Sequence, residues 1–115
     1  MRRLDPRSAA RQAVAVRPDR PATAIVHDSP DARLVVFRLA PGQSVAPHRS
    51  TSSVQLTVLA GSGVLSGETD SASVDQACAV GDLVAYAPNE LHGMRAIDEE
   101  LLLLATITPR PGDSR

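Results

Sequence analysis

The sequence predicts an all-β domain, a sandwich or barrel of short strands that a short N-terminal helix can precede. Apolar stretches of strand length recur along the chain, and several of them alternate apolar with polar residues. Pro, Gly, Asn and Asp residues separate these stretches at short intervals, as turns require. With 115 residues, the chain is long enough for one hydrophobic core.

The composition gives no electrostatic reason to expect a nucleic acid or an anionic membrane as a partner. The formal net charge is −1, and Phe37 and Tyr86 are the only Phe, Tyr or Trp residues that could stack on bases. A single cysteine, Cys78, fits a reducing compartment. No apolar run approaches the ~20 residues of a membrane span, and no hydrophobic signal region follows Met1. We expect a soluble cytoplasmic protein with no nucleic-acid or membrane partner.

Residues 1–21 are predicted to form an N-terminal arm or linker. Asp5 is a suitable N-cap and Pro6 a suitable first helical residue, so one or two helical turns can follow. Residues 14–16 have the composition of a short strand. The prolines within residues 17–21 favour a turn or linker, because proline lacks an N–H donor and restricts the residue before it.

Residues 22–108 are predicted to form the barrel, which begins with a strand at residues 23–27. In the next strand, residues 33–39, one alternate set of side chains is the more apolar and should face the core. The core set is Val35, Phe37 and Leu39, and the other set is Leu34, Val36 and Arg38. The second set needs a cover that a partner chain can supply.

The centre of the chain carries the most regular strand pattern, preceded by a histidine. Between turn signals at residues 41–42 and 61–63, alternate apolar residues indicate a half-buried strand with one inward face. These inward residues are Val54, Leu56 and Val58. His48 lies upstream on a second predicted strand, and Ser50, two residues on, faces the same way.

Further short strands are expected downstream, up to a polar tail at residues 109–115. They are residues 63–68, 72–75, 83–87, 91–97 and 101–107. The last of them is apolar without alternation, so it needs cover on both faces. This requirement favours a homodimer.

The spacing of Gly42, His48 and Gly61 resembles the first motif of the cupin superfamily. That motif reads Gly, five residues, His, one residue, His, three or four residues, Glu, six residues, Gly. Ser50 stands at the position of the second His, and Val54 stands at the position of the Glu. The spacing therefore agrees with the motif, but two of its three metal ligands are replaced.

A second unit downstream resembles the other cupin motif, which places a Gly, a turn and a His at fixed distances. Gly81 opens this unit and His92 follows at the matching distance, with Asn89 in the place of a Gly and Ala96 in the place of an Asn. Together the two motifs cover residues 42–96. The resemblance, to small single-domain cupins, implies a jelly-roll β-barrel, usually dimeric, with a pocket between the motif strands.

The resemblance also implies a candidate metal site. In the family, three His and one Glu hold a divalent metal such as iron, manganese, nickel, zinc or copper, and imidazole suits these metals. This chain supplies only His48 and His92 at matching positions. Gln55 cannot replace the Glu, because a shift of one residue puts its side chain on the opposite strand face. We expect no cofactor or a weakly held divalent metal.

By resemblance, the pocket is lined by inward-facing side chains of the two motifs, and none of them is assigned a catalytic role. They are His48, Ser50, Val54, His92, Met94 and Tyr86, the last of which can equally pack in the core. We expect a small-molecule-binding domain. Two alternatives stay open: a metal-dependent enzyme of the dioxygenase or isomerase type, and a structural dimer with a vestigial pocket. All three pocket hypotheses require that the two imidazoles meet in one cavity.

Overall fold

The structure is a computed structural model that describes residues 1–112. Within these residues, nine strands and one short N-terminal helix confirm the predicted all-β class. The elements are α1 (Pro6–Gln12), β1 (Ala22–Asp28), β2 (Arg33–Leu39), β3 (Ser44–His48), β4 (Ser53–Ala60), β5 (Ser62–Glu68), β6 (Ser73–Ala79), β7 (Leu83–Tyr86), β8 (His92–Arg95) and β9 (Leu101–Thr108). Of the predicted tail, residues 113–115 lie outside the described part of the chain.

The strands form two antiparallel sheets that enclose the core as a jelly roll. The five-stranded sheet has the order β1-β2-β9-β4-β7, and the four-stranded sheet has the order β3-β8-β5-β6. At one end of the sandwich, Leu39, Leu101 and Leu103 are fully buried. The alternation predicted for β2 and β4 holds, since Val35, Phe37 and Val54 belong to or pack against this core. The interior is thus filled at one end of the sheets.

Helix α1 forms because Asp5 caps it and Pro6 starts it. The Asp5 carboxylate accepts a hydrogen bond from the Ser8 N–H at 3.1 Å, which satisfies one free donor of the first turn. The helix covers the outer face of the five-stranded sheet, where Ala10 packs with Val36 and Leu102. It has only seven residues, and no helix within residues 1–112 is long and apolar enough to cross a membrane.

The cover expected from a partner chain therefore comes, at Val36 and Leu102, from the chain's own helix. Sequence patterns show that a face needs cover, but they do not show which segment supplies it. The Arg38 guanidinium stabilises the end of the helix, because it donates a hydrogen bond to the Ala13 carbonyl oxygen at 2.6 Å. The homodimer stays a prediction that this packing no longer requires.

The strand expected at residues 14–16 does not form. The Val14 and Val16 side chains are 81% and 97% exposed, and this segment pairs with no described strand. Pro18 and Pro21 follow it, so the chain enters a turn before it can extend along a neighbour. Conversely, β6 runs to Ala79, beyond the expected residues 72–75, because all seven of its residues pair with β5.

Helix docking predicts a specific loss of stability. Ala10 is 0% exposed, so Ala10→Lys must either bury a charged side chain or detach the helix. We expect the free energy of unfolding to fall by about 1–3 kcal/mol. The matched control is Arg11→Lys on the exposed side of the same helix, which should stay within about 0.5 kcal/mol of the wild type. Urea unfolding measures both, and equal effects would show that α1 does not cover the sheet.

Candidate functional site

The pairing of β3 with β8 brings the two motif histidines together. His48 is the last residue of β3 and His92 the first of β8, and the two are direct partners in the strand register. Their ring centroids are 4.2 Å apart, with the rings tilted by 60°. The two imidazoles, separated by more than forty positions in the sequence, therefore lie in contact.

Local features around the strand ends hold this contact in place. Between Val45 and His48 the register of β3 shifts, which lets Pro47 pass close to β8. Gly93 permits the approach, because a Cβ at position 93 would lie only 3.0 Å from Pro47 Cα. Asn89 makes the turn before β8 with a φ of 67°, a left-handed conformation that Asn tolerates.

The hydrogen bonds of the two rings define which nitrogen carries the proton. The Nδ1 atom of His48 lies 3.1 Å from the Ala46 carbonyl oxygen, and that of His92 lies 3.2 Å from the Glu90 carbonyl oxygen. A carbonyl oxygen can only accept, so each Nδ1 must be the donor. In the neutral rings, both Nε2 atoms therefore keep a lone pair, and neither has a hydrogen-bond partner within residues 1–112.

The two imidazoles differ in how much of each side chain contacts solvent. His92 is 4% exposed, whereas the side chain of His48 reaches solvent. Burial lowers the pKa of His92, and the adjacent His48 lowers it further, although the bond to the Glu90 carbonyl partly opposes this shift. The His92 ring is accordingly uncharged at neutral pH.

The imidazole pair borders a cavity of about 440 Å³ between the two sheets. Its walls are mainly apolar, and its lining residues are Phe37, Val45, His48, Arg49, Ser50, Thr51, Val54, Leu56, His92, Met94, Ala105, Ile107, Pro111 and Gly112. Another depression, of about 460 Å³, lies beside the outer edge of β3 and includes Arg17 and Arg20. Most of its walls are exposed side chains, so the cavity at the imidazoles, which several buried apolar residues line, is the better candidate site.

Of the six predicted pocket residues, the structure places five on this cavity: His48, Ser50, Val54, His92 and Met94. Tyr86 lies in the core instead. Its hydroxyl donates to the Ser66 carbonyl oxygen at 2.8 Å, and burial raises its pKa to about 12. Its ring still lies near the site, with its centroid 5.3 Å from that of His92.

The sequence interpretation missed several lining residues. Phe37 was expected to face the core, and the same alternation that predicted this also points it into the cavity. Ala105 and Ile107 lie on β9. Because the sequence of β9 is uniformly apolar, it does not indicate which face of the sheet each residue occupies. Pro111 and Gly112 come from the tail, and no sequence signal placed them at a cavity.

Arg49 also lines the cavity, and its charge is balanced at the rim. Its two Nη atoms each donate to one carboxylate oxygen of Glu68 at 2.8 Å, and Nη1 also donates to the Asn89 carbonyl oxygen. These bonds hold the pKa of the Glu68 carboxyl below its ordinary value. The rim thus carries a bidentate ion pair beside the apolar cavity.

The donor set does not fit a metal held by three or more protein ligands. Within residues 1–112, no group of three His, Cys, Asp or Glu side chains is placed to hold a metal ion. Ser50 and Val54 take the positions of two family ligands, and neither supplies imidazole or carboxylate. The nearby Glu90 carboxylate accepts from the Ala87 N–H in the turn. Only the two imidazoles remain as donors, and few donors mean weak binding.

No protein-family model and no curated protein matches the chain. Solved structures do match. A conserved protein with a double-stranded β-helix domain from Klebsiella pneumoniae superposes with a TM-score of 0.77 and 20% identity, over 88% of this chain and 87% of that one. An RmlC-like cupin protein from Desulfovibrio desulfuricans gives a TM-score of 0.72 and 26% identity, over 85% and 91% of the two chains. The chain therefore has the jelly-roll fold of these double-stranded β-helix and RmlC-like cupin structures.

A further cupin-like match is KdgF from Halomonas sp., with a TM-score of 0.76 and 21% identity over 89% of this chain and 91% of that one. The predicted jelly-roll fold is thereby confirmed. The two motif histidines of this chain belong to no group of three His, Cys, Asp or Glu side chains within residues 1–112 that could hold a metal ion.

Restoring one family ligand should convert the site into a metal site. Ser50→His places a third imidazole on the cavity wall, so we expect cobalt(II) affinity to rise by more than an order of magnitude over the wild type. Gln55→His is the matched control, because position 55 is exposed on the other face of β4. Visible absorption of bound cobalt reports both affinities. Equal gains in the two variants would mean that position 50 does not face the imidazole pair.

The buried His92 predicts a pH dependence of stability with a definite sign. Its pKa is lower in the folded chain than the ordinary value of 6.5, so within that window the unfolded chain binds more protons. Raising the pH through the window should therefore increase the free energy of unfolding, by at most about 1.4 kcal/mol per pH unit.

Urea unfolding between about pH 5 and pH 7 measures this slope, since an ordinary imidazole titrates there. His92→Gln should flatten it, whereas His27→Gln on β1, outside the cavity, should leave it unchanged. A slope that survives in His92→Gln would contradict the assignment.

Proposed function

We propose that this cupin domain binds a small organic molecule in the cavity at His48 and His92, without a resident metal. The observation that carries the proposal is the cavity itself: about 440 Å³ of space between two sheets, with mainly apolar walls. At its border are two imidazoles, each with one ring nitrogen that has no hydrogen-bond partner within residues 1–112. Ligand cavities in proteins commonly have volumes of ~300–1,000 Å³ and combine apolar walls with a few polar groups.

The apolar walls supply the affinity in this proposal. Phe37, Val45 and Ile107 line the cavity and are only partly buried, so they keep apolar surface in contact with water. A ligand that covers such walls gains roughly 25 cal/mol for each Å² of apolar surface removed from water. The imidazoles then orient the ligand, because few polar groups are available to bond it.

The metal-dependent alternative, a dioxygenase or isomerase, is less well supported by these residues. Such an enzyme would need a third protein ligand, and the donors within residues 1–112 do not supply one. The vestigial-pocket alternative, a structural dimer, makes a different prediction, because it requires no ligand to enter the cavity.

The test is a titration of ¹⁵N-labelled protein with small uncharged cyclic molecules, beginning with cyclohexanol. We expect amide shifts to concentrate at cavity residues of β4, β8 and β9. Ala105→Leu fills the cavity and should weaken binding at least several-fold.

Ala85→Leu is the matched control, since it adds the same side chain at an exposed position of β7. A vestigial pocket would show scattered shifts, or none, with no difference between the two leucine variants.

A further inference from the structure

We infer that the ligand of this cavity is an uncharged molecule that donates hydrogen bonds from two neighbouring atoms, as a vicinal diol does, and that carboxylates are disfavoured. The inference rests on the proposed small-molecule function and specifies its ligand class. It follows from the hydrogen-bonding atoms that border the cavity. It also follows from the ion pair between Arg49, the charged residue on the lining within residues 1–112, and Glu68.

The two imidazoles border the cavity, and each keeps one ring nitrogen as an acceptor. Each Nδ1–H is committed to a backbone carbonyl, of Ala46 for His48 and of Glu90 for His92. The remaining ring nitrogen, Nε2, can then only accept while the ring is neutral. A ligand that donates a hydrogen bond is complementary to such an atom, and an ether or a carboxylate oxygen is not.

The short distance between the rings indicates two donors rather than one. The ring centroids are 4.2 Å apart, so the two acceptors belong to the same small region of the wall. Hydroxyl groups on adjacent carbons reach such a pair from one molecule. A single hydroxyl would leave one acceptor of the pair without a ligand bond.

The cavity offers little to an anion. Among the lining residues within 1–112, Arg49 carries the only permanent charge, and Glu68 neutralises it through two bonds of 2.8 Å. Ser50 Oγ accepts from the Ser52 N–H at 3.1 Å, and the hydroxyl groups of Ser50 and Thr51 are neutral donors on the lining. A carboxylate would therefore exchange its hydration for neutral hydroxyl donors and an arginine already paired with Glu68, beside two imidazole acceptors that repel it, which is unfavourable.

The experiment compares four probes of one shape by NMR titration at pH 8, above the ordinary imidazole pKa of ~6.5. They are cis-cyclohexane-1,2-diol, 2-methoxycyclohexanol, 1,2-dimethoxycyclohexane and cyclohexanecarboxylate. We expect the affinity to fall roughly fivefold for each hydroxyl that is methylated, since one net hydrogen bond is worth about 1 kcal/mol. The carboxylate should bind more weakly than the diol.

Variants identify the acceptors. His48→Phe keeps a ring of similar shape but removes one acceptor, so the preference for the diol over the dimethyl ether should shrink by about fivefold. His92→Phe provides the same test at the buried ring. His27→Phe is the matched control, because His27 lies on β1 and does not line the cavity.

Each other outcome is decisive. Equal binding of the diol and the dimethyl ether overturns the donor inference, while the proposed small-molecule function stands. Tighter binding of the carboxylate also overturns it, and Arg49→Gln would then show whether Arg49 is the cation responsible. If none of the four probes shifts the cavity resonances, the proposed function fails and the inference fails with it.

Discussion

Burial of both faces of β9 is the constraint on which the rest of this domain depends. The strand pairs with β2 along one edge and with β4 along the other, seven residues in each case. Its inner face runs from Leu101 and Leu103, both fully buried, to Ala105 beside the cavity. Ala105 is smaller than the leucines before it and than Ile107 after it, so the strand fills the core at Leu101 and Leu103 and leaves space at Ala105.

The outer face of β9 explains why so short a helix persists. Isolated helices of about seven residues are unstable in water, and their stability in proteins comes from packing. Ala10 supplies that packing. Its side chain is small, so the helix can lie close to Leu102 on the sheet. The N-terminal arm therefore packs on a sheet that lines the cavity. Arg38 adds a hydrogen bond to the end of the helix.

Sequence patterns predicted the strand faces well, because alternation is a local property of each strand. They predicted the inward direction of Phe37 and Val54, and the resemblance to the cupin motifs implied that His48 and His92 meet. The cover by α1 was not predictable, because it is a contact between distant segments that carry no complementary signal. For Tyr86 the sequence left both the pocket and the core open, and the structure shows core packing, with its hydroxyl donating to the Ser66 carbonyl oxygen.

The contact of the two imidazoles depends on glycine as much as on histidine. β3 lies at the edge of its sheet and is held by β8 alone, so His48 has one strand to position it. Pro47 approaches β8 so closely that any side chain at position 93 would meet its backbone, and the edge strand would have to move outward. His48 would move with it, because it is the next residue along. Gly93 therefore helps to set the position of His48 beside His92.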